Sequence, residues 1–418
     1  MKILIPNASN SENVGDQAIL FGLLSVLQSY APNADIAIHA ANPESYHGLL
    51  NILVKENLYS WAVFKKRGAV SRIIRCLELC FSFFCIKVSG RPVLVSKELQ
   101  QLLYEYLHAD LIVFNGGGYL RSQKGFTQSL NLFMQLWMFK FAALTKAKIL
   151  VAPISFGPFA YSWQEKLSAL VLKTSAQEIL IREEISLARI AKYKMLKTKL
   201  SADLAFLLRP DKVKPKQFDR LTIGFTLRQW HPKKKQLEFE KNIAMVLIEI
   251  AQKYNAEIVP IVQVHSPQFG DADMEVTLRV LRTLKQAGVQ ACGIQLLKTI
   301  PEAFIAYRRV DVLLGMRMHS NILAAIQGTP FVAIAYEYKT RGLASMLGFD
   351  KYCVECAHID ARYLLSLLQE VIVNRTDLSH EVQIHLEKIR AHEHTIWKNI
   401  LTEYKSSSAS LLMLEPVL

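Results

Sequence analysis

Cysteine is scarce. The 418 residues hold six, at positions 76, 80, 85, 292, 353 and 356, which excludes a disulfide-rich miniprotein. Only Cys353-Val-Glu-Cys356 has a chelating or redox spacing. A zinc site needs about four ligands and a second pair is missing, so structural or incidental thiols in a reduced chain are expected. No export signal is expected from the visible start: the apolar run Ile3-Leu4-Ile5 stops at Pro6-Asn7, too short for the hydrophobic region of such a signal. The expected location is therefore the cytoplasm. Long hydrophobic runs are absent. Arg75, Glu78, Lys87 and Arg91 interrupt Ile73 to Val95, and Lys140 interrupts Leu130 to Leu144, whereas a spanning helix needs about 20 largely apolar residues. Both stretches read as buried helices. The first, flanked by Lys65, Lys66, Arg67, Arg72 and Arg75, also admits a second reading, with residues 71–95 lying on an anionic bilayer at the inner face of the membrane. No short repeat or low-complexity tract is present, and neither GxGxxG nor a phosphate loop ending in Gly-Lys-Ser/Thr occurs.

Acidic residues fall short as well. Lys plus Arg is 50 and Asp plus Glu is 36, a formal net charge of +14. The excess points to an acidic partner: nucleic acid, an anionic membrane, or a phosphorylated small molecule. Hydrophobic residues make up 51% and charged ones 21%, ample for packed cores and incompatible with a disordered or collagen-like chain. At roughly 150 residues per domain the length fits two or three domains.

What the chain does contain is alternation. Strand-like runs at Lys2–Pro6, Ala34–Ala40, Asp110–Asn115, Lys148–Pro153 and Glu178–Arg182 interleave with helical periodicity at Asp16–Tyr30, Leu130–Lys146, Trp163–Thr174 and Ile185–Lys194. Leu208–Asp219, with Pro210 and Pro215, lacks periodicity and reads as a linker. Alternation then restarts, with strands at Leu221–Leu227, Ala256–Val264, Ile294–Leu297, Val312–Leu314 and Pro330–Ala335. Helical periodicity falls between and after them, and Glu381 to about Glu403 reads as a terminal helix. The expected fold class is α/β, two Rossmann-like domains facing across a cleft, with boundaries 1–208, 220–380 and 381–418. Ligands of such sheets bind at the carboxyl ends of strands.

Candidate site residues sit at those ends. Asn13-Val14-Gly15-Asp16 opens the first helix, with Gly15 for a tight turn and Asp16 as a cap. Gly116-Gly117-Gly118 follows a strand and exposes backbone N–H groups that can cradle an anion; a sharp turn uses the same residues. Gly315-Met316-Arg317-Met318-His319-Ser320-Asn321 lies between a strand and a helix. Arg317 and His319 are two apart, so extended backbone would aim both the same way. Arg offers a fork for phosphate or carboxylate, and His moves protons near neutral pH. Arg182, Arg228, Lys339 and Arg341 close other strands, and together these cations suit an anion cleft. His265, with Asp271 and Asp273 beyond it, is a weaker addition.

In this order the motifs resemble the polysaccharide pyruvyl transferase family, from about Met1 to Phe349. The family's N-x-G-D is similar to Asn13–Asp16, its glycine triplet to Gly116–Gly118, and its Gly-Pro-Phe to Gly157-Pro158-Phe159. Its R-D-x-x-S is similar to Arg182–Ser186, its D-x-A-F to Asp203–Phe206, and its G-M-R-x-H to Gly315–His319, with Pro330 and Lys339 following. Glu183 stands where the family has Asp. Pro153-Ile154-Ser155-Phe156 replaces a glycine-rich stretch, and because serine avoids positive φ a differently shaped loop is expected there. The resemblance implies a B-type glycosyltransferase-like fold with the acceptor on the first domain and the donor on the second. It implies transfer of a pyruvyl group from phosphoenolpyruvate to two hydroxyls of a sugar, free, polymeric or lipid-linked, with no metal or cofactor required. It also implies His319 and Arg317 as catalytic residues, and Arg182, Arg228, Lys339, Arg341 and Ser320 as donor ligands. The backbone at Asn13, Gly15, Asp16 and Gly116–Gly118 would lie near the substrates.

Two rivals use the same residues differently. A nucleotide-sugar glycosyltransferase would place a diphosphate among the same cations. A nucleic-acid binder would interleave aromatics with Lys and Arg on one face, but here the basic residues are scattered, and Lys233-Lys234-Lys235 reads as the solvated start of a helix.

Overall fold

The computed structural model describes residues 1–63, 68–194, 197–210, 220–264 and 273–412. The readings at Lys65–Arg67, at 211–219 of the linker, and at His265 and Asp271 lie outside the described residues. Contacts divide the chain into two units: Met1–Ser11, Ile19–Leu204 and Glu393–Leu418 in the first, Glu12–Ala18 and Ala205–His392 in the second.

The first unit is built on β1 (Lys2–Ala8), β2 (Asp35–Ala40), β3 (Val54–Glu56), β4 (Leu111–Phe114), β5 (Gly117–Leu120), β6 (Lys148–Phe156), β7 (Glu178–Ile181) and β8 (Thr198–Leu200). Their order is β3-β2-β1-β4-β6-β7-β8, with β5 paired to β6, and every pair is parallel. The central strands are continuous apolar runs, such as Leu111-Ile-Val-Phe114, buried along their length, because helices cover both faces of a parallel sheet. The second unit carries β9 (Thr222–Thr226), β10 (Glu257–Val262), β11 (Gln295–Leu296), β12 (Val312–Gly315), β13 (Phe331–Ala335) and β14 (Cys353–Glu355), in the order β11-β10-β9-β12-β13-β14 and again parallel. Both orders reverse beside the first strand, between β1 and β4 and between β9 and β12. That reversal opens the crevice where Rossmann-like sheets take ligands.

Expected strands and helices recur within a few residues of their places. The strands that sequence reading passed over, β3, β5, β8 and β14, are three or four residues long, too short to display a period. Ser155 sits inside β6 in extended backbone, so the stretch before Gly157 continues the strand and is not a turn. The helix Phe126–Ala142 is largely buried from Leu132 to Ala142, and its first turn is exposed. The helix Ala69–Ser89 corrects its expectation of burial: Leu79 and Ile86 are buried, but its opposite face is exposed. Among the described residues no helix is long and apolar enough to cross a membrane.

The terminal helix runs from Arg375 to Leu412, starting before the expected Glu381. It does not stand apart as its own segment, because its two ends are tied into different units. Arg390 donates to the carbonyls of Phe206 (2.9 Å) and Leu208 (2.6 Å) in the second unit. Glu393 is fully buried in the first, where it accepts from the Ser201 hydroxyl (2.6 Å) and the Ala202 N–H (2.7 Å). Burial, with the nearby Asp203 charge adding to it, pushes the Glu393 carboxyl up to about 7. Between about 4.5 and 7 the folded chain holds a proton that the unfolded chain has lost, so this group's contribution to stability falls as pH rises through that window and is low above it. Glu393→Gln keeps an acceptor for Ala202 and offers Ser201 a donor. The variant is expected to lose less thermal stability than the native chain between pH ~5 and ~8. Melting curves with equal slopes for both proteins would exclude this.

Candidate functional site

The switch point of the second unit is held by a short polar lattice. The Met316 N–H reaches both the carbonyl (3.0 Å) and the hydroxyl (3.1 Å) of Thr226, which ends β9. The Ser320 hydroxyl lies 2.8 Å from that of Thr226 and donates to the Arg317 carbonyl at 2.5 Å. Asn321 donates to the carbonyls of Gly315 (3.2 Å) and Arg317 (3.3 Å). A Cβ on Gly315 would fall 1.9 Å from the Asn321 oxygen, so only glycine fits there. Ser320, expected as a donor ligand, is fully buried with its hydroxyl engaged; it positions the loop.

Arg317 caps the helix Met318–Ile326. Its Nε lies 3.1 Å from both carboxylate oxygens of Asp273, and its Nη2 also donates to that carboxylate. Both side chains are almost fully buried. Asp273 starts the helix Asp273–Gln286 and also accepts the Val264 N–H at 3.1 Å, so one carboxylate ties the end of β10 to the end of β12. His319 does not project with Arg317 as the two-residue spacing predicts. The helix begins at Met318, and on a helix residues two apart face different ways. The ring lies instead against Gly15, where a Cβ would stand 2.3 Å from Nδ1 and 2.6 Å from Cγ. Gly15 is thus required by close approach, at a negative φ. The cap of its helix is Asn13, whose side chain accepts the Gly15 N–H (3.0 Å), and not Asp16 as expected.

Cations gather beyond the same strand ends. The Arg228 guanidinium sits 4.6 Å from the ring centre of Tyr336 and 5.4 Å from that of Trp230. Lys339 pairs with Glu337 at 2.7 Å. Burial pushes the Tyr336 phenol up, yet Lys339, Arg228 and Arg317 together hold it below its ordinary value against the opposing Glu337. A net positive field therefore prevails there. Arg341 pairs with Glu355 on the surface (2.6 Å); its charge does not figure in that field.

In the first unit the expected anion ligands are used internally. Arg182 is buried, donating to Asp203 (2.6 Å) and to the Ser155 hydroxyl (2.8 Å), and Ser155 donates to Glu183 (3.0 Å). Glu183 also accepts from Ser186, so the Asp-to-Glu exchange still anchors this turn. The glycine triplet is not an open loop. Gly117, at φ +123, starts β5, and a Cβ on Gly116 would meet the Pro153 carbonyl at 2.8 Å. Asn7 accepts the Asn115 N–H at 2.7 Å across the switch point. Cys353 and Cys356 are free thiols that burial pushes up to about 11 and about 12.

Asp273, Tyr336 and Trp230 are the residues sequence reading undervalued or missed. Asp273 carried the signal of an acid opening an amphipathic helix; the aromatics carried none.

This arrangement can be set beside known proteins. The fold is similar to UDP-GlcNAc 2-epimerase from Neisseria meningitidis bound to UDP-GlcNAc, with TM-score 0.57, 11% identity, and coverage of 97% of this chain and 100% of that one. It is also similar to Anabaena Alr3699/HepE in complex with UDP-glucose, with TM-score 0.54, 12% identity and coverage of 97% and 100%. Two Rossmann-like units of this kind define the class, an α/β protein with the B-type glycosyltransferase fold. The model of the family described as polysaccharide pyruvyl transferase matches residues 13–338, and the chain belongs to that family of transferases. It is 24% identical over 422 residues to the amylovoran biosynthesis protein AmsJ of Erwinia amylovora, covering 96% of this chain and 99% of that protein.

Two outcomes follow from the site geometry. Gly15→Ala is expected to displace the His319 ring and shift its imidazole NMR signals, and unshifted signals would refute the close approach. Tyr336 is expected to ionise below the ordinary value of 10, and Arg228→Met to raise that midpoint. Ultraviolet titration against Tyr336→Phe isolates this phenol among the 15 tyrosines, and an unmoved midpoint in the Met variant would contradict the assignment.

Proposed function

We propose that the protein transfers the pyruvyl group of phosphoenolpyruvate to two hydroxyls of a sugar in a polysaccharide or its lipid-linked precursor, forming a ketal and releasing phosphate. The observation that carries the reading is the positive field of Arg228, Lys339 and Arg317 on Tyr336, at the strand ends where His319 opens a helix. Phosphoenolpyruvate bears a carboxylate and a phosphate on three carbons, so its site needs several cations close together. Family membership and the likeness to AmsJ support the pyruvyl donor and the polysaccharide acceptor.

In this reading Arg228 and Lys339 hold the donor anions. Arg317, held by Asp273, fixes the loop and is the weakest of the three charges acting on Tyr336. His319 acts as the proton carrier. The methylene carbon gains a proton and becomes the methyl group, while the first sugar hydroxyl bonds to C2. The C2–O bond to phosphate then breaks, and the second hydroxyl bonds to C2 in its place. Of the two hydroxyl protons, one balances the new methyl C–H and the other leaves on phosphate.

The test supplies phosphoenolpyruvate with a panel of saccharide and lipid-linked acceptors and measures phosphate release together with acid-labile pyruvate on the sugar. His319→Ala is expected to lower kcat by about 10²–10⁴-fold. Arg228→Met is expected to raise KM for phosphoenolpyruvate on the order of tenfold. Transfer from UDP-sugars with no turnover of phosphoenolpyruvate would replace this reading with the nucleotide-sugar one.

A further inference from the structure

The helix Ala69–Ser89 wears its amphipathicity inside out. Val70, Ile73, Leu77, Phe81, Phe84 and Val88 recur at three- and four-residue spacing, which places them on one face. They point away from the protein, each between 44 and 71% exposed. Its charged residues are turned inward or sideways. Arg75 lies over the Trp61 ring at 4.6 Å and pairs with Glu98 at 3.0 Å, and Glu78 accepts the Ser96 N–H. Ser82, on the packed side, donates to its own helix at the Leu79 carbonyl. Among the described side chains, the apolar arc from Val70 to Val88 contains no charge. At 1.5 Å per residue it runs for roughly 27 Å. Leu94, 89% exposed, follows a few residues past the helix.

A face of this kind in water holds apolar area that a soluble surface normally avoids. Its rim identifies the occupant. Exposed Lys87 and Arg91 border its carboxyl end. Lys65-Lys66-Arg67 precede the helix in sequence, and the chain as a whole carries +14. A second copy of the chain would set like charges against one another around the patch, whereas an anionic bilayer offers hydrocarbon to the arc and phosphate to the rim.

We infer that the outer face of Ala69–Ser89 is a peripheral membrane-docking surface, which lies in the interface of a bilayer rich in anionic phospholipid. The inference rests on the exposed face of the first unit and is independent of the pyruvyl-transfer reading.

The test floats the full-length protein with phosphatidylcholine vesicles, with and without phosphatidylglycerol. The protein is expected to float with the anionic vesicles at low salt and less with the neutral ones. Leu77→Glu/Phe84→Glu, at exposed positions, is expected to cut the bound fraction at least about tenfold while leaving the melting curve in place. Lys87→Glu/Arg91→Glu keeps the apolar arc and is expected to weaken binding to anionic vesicles only. The inference is overturned if the native protein fails to float with anionic vesicles at low salt, or if both double variants float as it does. It is equally overturned if the native chain ignores lipid and forms a dimer that Leu77→Glu/Phe84→Glu disperses, since the face is then an interface between copies.

Discussion

The buried ion pair between Arg317 and Asp273 is the constraint on which the second unit's site depends. Removing a guanidinium and a carboxylate from water costs several kcal/mol per ion, and their attraction offsets this only with close, multiple contacts. Here three nitrogen–oxygen contacts and the Val264 N–H supply them. The pair joins the ends of β10 and β12 and fixes where the following helix begins. That start decides the direction of His319, and the lattice of Thr226, Ser320 and Asn321 holds it in place. Losing either partner would strand the other's charge in the interior, typically a cost of about 3–5 kcal/mol.

Crowding is the second constraint. Gly15, Gly116 and Gly315 are needed because another group occupies the space of a side chain: the His319 ring, the Pro153 carbonyl and the Asn321 amide. Among the motif glycines Gly117 and Gly157 stand at positive φ. Glycines that look alike in the sequence thus do two jobs. Gly15, Gly116 and Gly315 let backbone and side chain approach closely, each within its own unit.

The two units spend their cations differently. In the first, Arg182 is consumed by Asp203 and Ser155, which bind the end of β7 to its neighbours. In the second, Lys339 pairs with Glu337, Arg317 pairs with Asp273, and Arg228 lies over the rings of Tyr336 and Trp230. The result is a field strong enough to reverse the effect of burial on the Tyr336 phenol. A net charge of +14 therefore says little until each cation has been assigned a partner.

The alternation of apolar runs and helical periods was enough to determine two parallel α/β units and to place Asn13–Asp16, Gly116–Gly118 and Gly315–Asn321 at strand ends, because strands covered on both faces are short continuous apolar runs and amphipathic helices repeat at a fixed period. Short edge strands such as β8 and β14 carry no period and were silent. Site roles were harder to read. Arg182, Arg228, Arg317 and Arg341 look equivalent as letters, yet one is buried in an internal network, one is stacked on rings, one is paired in the interior and one is paired on the surface. The side a helix buries was also undecided by its own sequence: Ala69–Ser89 carries a strong apolar stripe, and only packing of Arg75 on Trp61 and of Glu78 on Ser96 turns that stripe outward. Periodicity is local and is written in neighbouring residues. Pairing and exposure depend on groups far apart in the chain, such as Asp273 with Arg317 or Gly15 with His319, and only the tertiary structure brings those together.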